Sequence, residues 1–227
     1  MKAAFFDVDE TLLCIDTGTS WIKYLRRRGE IGMFDLMRAA YQGFLYRQAL
    51  KSIDAIVDPV VSKLQGESEQ DMIQKSQDWY RQCVEPEVSS DALEAIESHR
   101  QKGEEVVLLT GTTQFVAEAL SKMLDIEHTL CSRLEVIDGK YTGRMERRCW
   151  GEHKVVVAEE FADRHGVNLD ESFFYSDTAC SALSLSLKST RSDVSVGSAS
   201  GSNYKAVSYT HLRAHETRHD LVCRLLL

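Results

Sequence analysis

The sequence predicts an α/β fold, a parallel β-sheet core with a block of helices inserted after the first strand. One observation is the start of the chain, where a short strand predicted at 3–8, apolar except for Asp7, leads into a second carboxylate, Asp9. A second is that residues 17–83 contain almost no strand signal, whereas strand and helix patterns alternate from about residue 88. With 227 residues, the chain suits one domain with an insertion or two small domains.

Four helices are predicted to follow the first strand. Apolar side chains recur at i, i+3 and i+4 in segments 17–28, 33–46, 53–64 and 72–84. Such a stripe on one face of a helix usually packs into the core of a globular protein. In the second helix, the stripe that we expect to be buried consists of Phe34, Met37, Tyr41, Phe44 and Leu45.

Strands and helices then alternate along the chain. A helix at 90–101 is capped by Ser89 or Ser90 and ended by Gly103. The continuous apolar run in 104–110 is typical of a strand that is covered on both faces. The remaining predicted elements are a helix at 114–124, a hairpin with the turn Asp138-Gly139 between 134–137 and 140–142, a helix at 153–165 and a strand at 172–176.

Polar side chains suited to phosphoryl transfer follow the ends of these elements. They are Asp7 and Asp9 after the first strand, Thr110 and Gly111 at the end of the second, Lys154 at a helix start, and Asp177 after the last strand. Because ligands of parallel sheets bind beyond the carboxyl ends of the strands, we expect these groups to converge. Two close carboxylates repel each other, and Mg²⁺, which takes oxygen ligands, would relieve that repulsion.

Four short motifs resemble those of the haloacid dehalogenase superfamily of phosphohydrolases, in particular its phosphoserine phosphatase-like subfamily IB. They are Asp7-Val8-Asp9-Glu10-Thr11, Leu108-Leu109-Thr110-Gly111, Lys154 and Tyr175-Ser176-Asp177. The resemblance covers residues 1 to about 177. It implies a Rossmann-like core formed by residues 1–14 and 88–177, with a helical type-one cap at 15–87.

The resemblance also implies roles for the acidic residues. Asp7 would be the nucleophile that forms an aspartyl-phosphate, and Asp9 would be the general acid and then the general base. The Mg²⁺ ligands would be the carboxylate of Asp7, the backbone carbonyl of Asp9 and the side chain of Asp177. A proton donor such as Asp9 argues against a true dehalogenase, because halide leaves without protonation.

The remaining motif residues are implied to bind the phosphoryl group. Thr110 and the N–H of Gly111 would contact phosphate oxygens, with Thr11 on the substrate side, and Lys154 would neutralise charge on the nucleophile and the phosphate. Glu10 departs from the glycine that is commoner at its position. The implied activity is Mg²⁺-dependent hydrolysis of a small phosphomonoester, with phosphoserine as one candidate substrate.

The chain departs from the family pattern after Asp177. Ser181 stands where the family has a second acid, and residues 178–227 hold ten serines and no proline. One interpretation is a natural serine-rich tail; the one we favour is an out-of-frame or cloning-derived ending. The chain would then be weakly active or poorly folded.

The alternative function is a catalytically impaired protein that binds phosphorylated ligands. A phosphoacceptor receiver domain is disfavoured, because its phosphorylated aspartate follows a middle strand.

Composition excludes several other classes of partner. The net charge of −8 argues against a general nucleic-acid surface. No stretch approaches 18 apolar residues and no secretory signal is recognisable, so we expect neither a membrane span nor export. The six cysteines show no paired CxxC spacing, which indicates reduced thiols and a cytoplasmic location.

Overall fold

The computed structural model describes residues 1–48, 52–176 and 205–208. Their strands form one sheet of six with the order β4-β3-β2-β1-β5-β6. The strands are β1 (Ala3–Phe6), β2 (Glu105–Thr113), β3 (His128–Ile137), β4 (Lys140–Arg147), β5 (Phe173–Ser176) and β6 (Lys205–Ser208). The central strands are parallel, with β1 between β2 and β5, which confirms the predicted α/β class.

Seven α-helices accompany the sheet in the described residues. They are α1 (Thr17–Arg27), α2 (Met33–Arg47), α3 (Asp54–Ser62), α4 (Glu69–Trp79), α5 (Ser90–Gln101), α6 (Gln114–Met123) and α7 (Glu152–His165). Helices α1 to α4 lie between β1 and β2 in the chain, as the sequence predicts. Within the described ranges, none of these helices is long and apolar enough to cross a membrane.

The two faces of the sheet carry separate apolar layers. Phe6 and Leu108 face one layer, to which α5 contributes Ile96. Phe5 and Val107 face the other, to which α7 contributes Phe161. Successive side chains of a strand point to opposite faces, so an entirely apolar strand such as β1 requires cover on both sides. Phe5 and Phe6 are at most 1% exposed, and this burial fixes the position at which the chain leaves the sheet.

Local signals set several element ends as predicted. The Ser89 side chain accepts a hydrogen bond from the Ala92 N–H, so Ser89 is the cap of α5. In the β3–β4 turn, Asp138 and Gly139 have φ of 51° and 71°, the left-handed values that a two-residue hairpin turn requires. Strand β3 begins at His128, six residues before the predicted start. Its first half pairs with β2, whereas its second half pairs with β4.

The apolar stripe of α2 differs from the prediction. Phe34, Met37, Tyr41 and Phe44 are between 56% and 77% exposed, so they are not part of the core. Leu45, the fifth member of the stripe, is half-buried, and Gly43 is buried. Helical periodicity identifies an apolar face but not the surface that covers it, which is why the sequence predicted burial wrongly.

The serine-rich end of the chain is mostly outside the described residues. Within it, Lys205–Ser208 forms the edge strand β6, antiparallel to β5, with Val207 opposite Phe174. The interpretation of 178–227 as an out-of-frame ending therefore stays a prediction, as does the position of Ser181.

Candidate active site

The first carboxylate follows directly from the end of β1. The Asp7 N–H donates a hydrogen bond to the Tyr175 carbonyl oxygen at 3.0 Å, which continues the pairing of β1 with β5. The chain then turns tightly through Val8–Leu12, where the Leu12 N–H donates to the Asp7 carbonyl oxygen at 3.3 Å. Asp7 Oδ1 accepts a hydrogen bond from the Val8 N–H at 2.8 Å. These backbone contacts fix the Asp7 side chain at the carboxyl end of the sheet.

Glu10 occupies a left-handed conformation within this turn, with φ of 52° and ψ of 15°. A residue with a Cβ pays about 1 kcal/mol or more for this conformation, whereas glycine adopts it freely. The turn therefore holds Glu10 in a conformation whose energetic cost a glycine would avoid.

A buried ion pair joins the first motif to the third. Lys154 Nζ lies 2.7 Å from Asp7 Oδ2, and each side chain is 11% exposed. Lys154 reaches this position from the first turn of α7, where Gly151 precedes the helix with φ of 52° and ψ of −137°. Only glycine adopts that combination readily, so Gly151 sets the direction in which α7 starts. Coulombic attraction between these charges is strengthened by their removal from water.

The second carboxylate lies deeper than the first. Asp9 is 8% exposed, and its Oδ1 accepts a hydrogen bond from the Thr17 N–H at 2.6 Å. Burial raises the pKa of Asp9 from 3.8 to about 7, opposed by the hydrogen bonds from Thr17 and assisted by the nearby charge of Asp7. Near neutral pH, Asp9 therefore exists in both protonation states, as a proton donor in catalysis requires.

Thr110 lies on the strand next to this turn but not at its end. We expected β2 to stop at Thr110; it continues to Thr113, so that expectation was wrong. The pairing of β2 with β3 shifts register between Leu109 and Thr113. Such irregularities let a strand continue while its side chains are re-aimed. The buried Thr110 hydroxyl accepts a hydrogen bond from the Thr112 N–H at 3.2 Å, and Gly111 lies beside it inside the strand.

Thr11 is the one site residue whose hydroxyl is left without a protein partner in the described residues. Its Oγ1 is buried, and the residue is 2% exposed. Buried polar atoms are nearly always hydrogen-bonded to protein, water or ligand. The Thr11 hydroxyl is therefore available to hydrogen-bond a polar ligand or water in the turn that carries Asp7 and Asp9.

The oxygen donors near Asp7 fit a hard divalent cation. Two of the three implied Mg²⁺ ligands, the Asp7 carboxylate and the Asp9 carbonyl, belong to the same short turn. The third, Asp177, lies outside the described residues. A different group of metal-ligating side chains, Glu105, Glu127 and His128, lies at the starts of β2 and β3. These are the amino ends of the strands, whereas Asp7 lies beyond the carboxyl end of β1, so this group is not part of the site.

The sequence motifs did not single out Thr17 as part of this site. Asp16 caps α1 by accepting a hydrogen bond from the Thr19 N–H, and this geometry places the Thr17 N–H on Asp9. The Asp16-Thr17 pair before an apolar helix is a recognisable helix start, so the sequence does indicate where α1 begins. Its link to Asp9, eight residues earlier, depends on the tight turn between them.

The fold and the site together define an α/β protein with paired carboxylates and a buried lysine at the carboxyl end of its sheet. The family model of haloacid dehalogenase-like hydrolases matches residues 4–179, and the chain belongs to that family. This match confirms the resemblance to the haloacid dehalogenase superfamily that the motifs indicate.

Individual relatives are distant. A probable phosphatase of Mycobacterium tuberculosis is 24% identical over 179 residues, which are 78% of this chain and 62% of that protein. A histidinol-phosphatase of Neisseria meningitidis is 24% identical over 182 residues, covering 77% of this chain and 82% of that protein. The chain therefore spans less than two thirds of the length of its mycobacterial relative.

A solved structure shares the fold. It is the phospho-aspartyl intermediate analogue of a phosphoserine phosphatase, with a TM-score of 0.53 and 20% identity. The matched region covers 75% of this chain and 75% of that chain. The similarity supports the parallel-sheet architecture of this chain, with helices on both faces.

Proposed function

We propose that the protein is a Mg²⁺-dependent phosphomonoester hydrolase that acts through a phosphorylated Asp7. The observation that carries the proposal is the buried contact between Lys154 and Asp7, 2.7 Å long, next to an Asp9 whose pKa is raised to about 7. A nucleophile, its counter-charge and a proton donor are thereby held within one short turn and one helix start. Hydrolysis of phosphomonoesters through a covalent intermediate requires these three functions.

Asp7 and Asp9 divide the bond changes between them. One Asp7 oxygen forms a bond to phosphorus while the bond from phosphorus to the substrate oxygen breaks, and Asp9 donates its proton to that leaving oxygen. In the second half-reaction, Asp9 takes a proton from water. The water oxygen bonds to phosphorus, the bond to Asp7 breaks and inorganic phosphate leaves. Lys154 offsets negative charge on the carboxylate and on the phosphoryl oxygens throughout.

Mg²⁺ would be held by the Asp7 carboxylate, the Asp9 carbonyl and Asp177. When bound, it supplies positive charge for the phosphoryl oxygens. Thr110 and the Gly111 N–H would bind phosphoryl oxygens after the Thr110 hydroxyl leaves Thr112. The unpartnered Thr11 hydroxyl supports a substrate-side role for Thr11.

The proposed substrate is a small phosphorylated metabolite. Two of the relatives bear the names of phosphatases, one of them a histidinol-phosphatase, and a phosphoserine phosphatase shares the fold. We assign residues 1–14 and 88–177 to a catalytic core of subfamily IB type and 15–87 to a helical cap that would exclude bulk water from the site. A cytoplasmic location is part of the proposal, because the six cysteines of the sequence show no paired CxxC spacing.

The proposal is tested by phosphate release from p-nitrophenyl phosphate, with excess Mg²⁺ and after treatment with EDTA. We expect release only with Mg²⁺ and its loss in Asp7→Asn. Asp163→Asn, on an exposed position of α7, is the matched loss of one carboxylate and is expected to keep the activity. Equal release by the Asp7→Asn variant would overturn the proposal.

A second candidate is a protein that binds phosphorylated ligands without hydrolysing them. Ser181 in place of the second acid of the last motif favours it. Under this alternative, the chain releases no phosphate, yet inorganic phosphate or a phosphomonoester binds in calorimetry, and binding weakens in Lys154→Met.

A further inference from the structure

We infer that Arg148 is a positioning residue that ties helix α3 to the start of α7, and so sets the position of Lys154 on Asp7. The inference rests on the proposed function, in which Lys154 serves the reaction at Asp7. It adds a connection between the helical segment and the reacting groups that none of the family motifs contains.

The contact between Arg148 and α3 has two parts. Arg148 Nε donates to Asp54 Oδ1 at 2.9 Å, and its Nη2 donates to Asp58 Oδ1 at 2.7 Å. The two acceptors are four residues apart, on one face of α3. The planar guanidinium contacts both carboxylates at once, which a lysine ammonium matches poorly because it is a single point of charge.

The residues after Arg148 are held on two sides. The Cys149 N–H donates to the Ser132 Oγ of β3 at 3.1 Å, and Cys149 is fully buried. The next residue, Trp150, is 4% exposed and shares an apolar cluster with Val57 and Val61 of α3. The segment 148–150 is therefore packed between the sheet and α3.

The same segment leads directly into the helix that carries Lys154. Gly151 turns the chain with a conformation that only glycine adopts readily, and the Lys154 N–H donates to the Gly151 carbonyl oxygen at 3.1 Å. A shift of α3 would be passed through Arg148 and Trp150 to the first turn of α7. The 2.7 Å contact of Lys154 with Asp7 depends on that turn.

Energetics separate this role from a general stabilising role. The Arg148 side chain is 32% exposed and those of Asp54 and Asp58 are 44% and 51% exposed, so solvent screens these pairs. Exposed ion pairs contribute little to global stability. Misplacement of a catalytic group by about 1 Å, in contrast, can lower a rate by roughly 100-fold. Loss of the Arg148 contacts should therefore reduce turnover much more than it reduces stability.

The experiment measures kcat, KM and Tm for Arg148→Met, for the double variant Asp54→Asn/Asp58→Asn, and for the triple combination. Arg164→Met is the control, because it breaks the exposed pair with Glu160 at the other end of α7. Hydrogen exchange of the peptide that spans 151–156 supplies a readout that does not depend on turnover. All assays use the full chain with Mg²⁺ and p-nitrophenyl phosphate.

We expect kcat to fall roughly 10- to 100-fold in Arg148→Met and in the double variant. KM should change less than about threefold, and the triple combination should show no further loss, because all variants remove one interaction. Exchange in 151–156 should accelerate in each of them, with Arg164→Met unchanged. The inference is overturned if Arg148→Met behaves like Arg164→Met, or if the losses add. If the parent chain releases no phosphate, the proposed function fails, while unchanged exchange in Arg148→Met would separately overturn the coupling.

Discussion

Asp9→Asn should stabilise the protein, and the gain should grow with pH. Burial raises the pKa of Asp9 from 3.8 to about 7 in the folded state. The folded protein therefore holds this proton more tightly than the unfolded chain does. Below pH 3.8 the side chain is protonated in both states and has no effect. As pH rises, ionisation favours the unfolded chain, and the penalty to the native state is complete above about pH 7.

The magnitude follows from the two pKa values. One pKa unit corresponds to about 1.36 kcal/mol. The native state should thus lose roughly 2 kcal/mol at pH 5 and roughly 4 kcal/mol at pH 8 from ionising Asp9. Asparagine has no charge and keeps an oxygen that accepts the Thr17 N–H, so Asp9→Asn removes the penalty while retaining the contact.

The assay is urea unfolding of the parent and Asp9→Asn at pH 5 and pH 8, with EDTA to exclude metal ions. The difference in the free energy of unfolding should increase by roughly 2 to 3 kcal/mol between the two pH values. Asp163→Asn on the exposed side of α7 should change stability by less than about 0.5 kcal/mol at either pH. A difference for Asp9→Asn that is constant or shrinks with pH would show that Asp9 does not ionise at a cost to the folded state.

Three further substitutions test the geometry around Asp7. Glu10→Gly should raise the free energy of unfolding by up to about 1 kcal/mol in urea titrations, because it relieves the left-handed conformation; a loss would contradict the strain. Gly151→Ala should lower the free energy of unfolding in urea by roughly 1–3 kcal/mol and should also lower kcat, because alanine is strained in this conformation. An unchanged free energy of unfolding would argue against the backbone conformation assigned to Gly151. Lys154→Met should cost about 3 kcal/mol by leaving Asp7 unpaired, and adding Asp7→Asn should recover part of that loss; no recovery would mean that the pair is not what stabilises this region.

The sequence predicted those parts of the fold that local chemistry determines. Ser89 marks the start of α5 and Gly103 marks its end, because a side-chain cap and a left-handed glycine act within a few residues. The Asp138-Gly139 turn was recognisable for the same reason. The apolar β1 was predicted because a parallel strand covered on both faces has no polar positions.

Features that depend on distant partners were not predictable in this way. The end of β2 was misplaced because continued pairing with β3 overrides the polar residues after Leu109. The exposed stripe of α2 carries the same spacing as a buried one. The contacts of Arg148 with α3 join residues 90 and 94 positions apart, and no local pattern signals them.

Phosphorylation of Asp7 itself can be measured directly. p-Nitrophenolate is a good leaving group, so its displacement does not require a proton from Asp9, whereas release of phosphate from Asp7 does require a base. Asp9→Asn incubated with p-nitrophenyl phosphate and Mg²⁺, then quenched in acid, should carry one phosphoryl group on the peptide that contains Asp7. We expect this mass increase in Asp9→Asn and its absence in Asp7→Asn/Asp9→Asn. Phosphate on another residue, or an unmodified Asp7 while nitrophenolate is released, would contradict it.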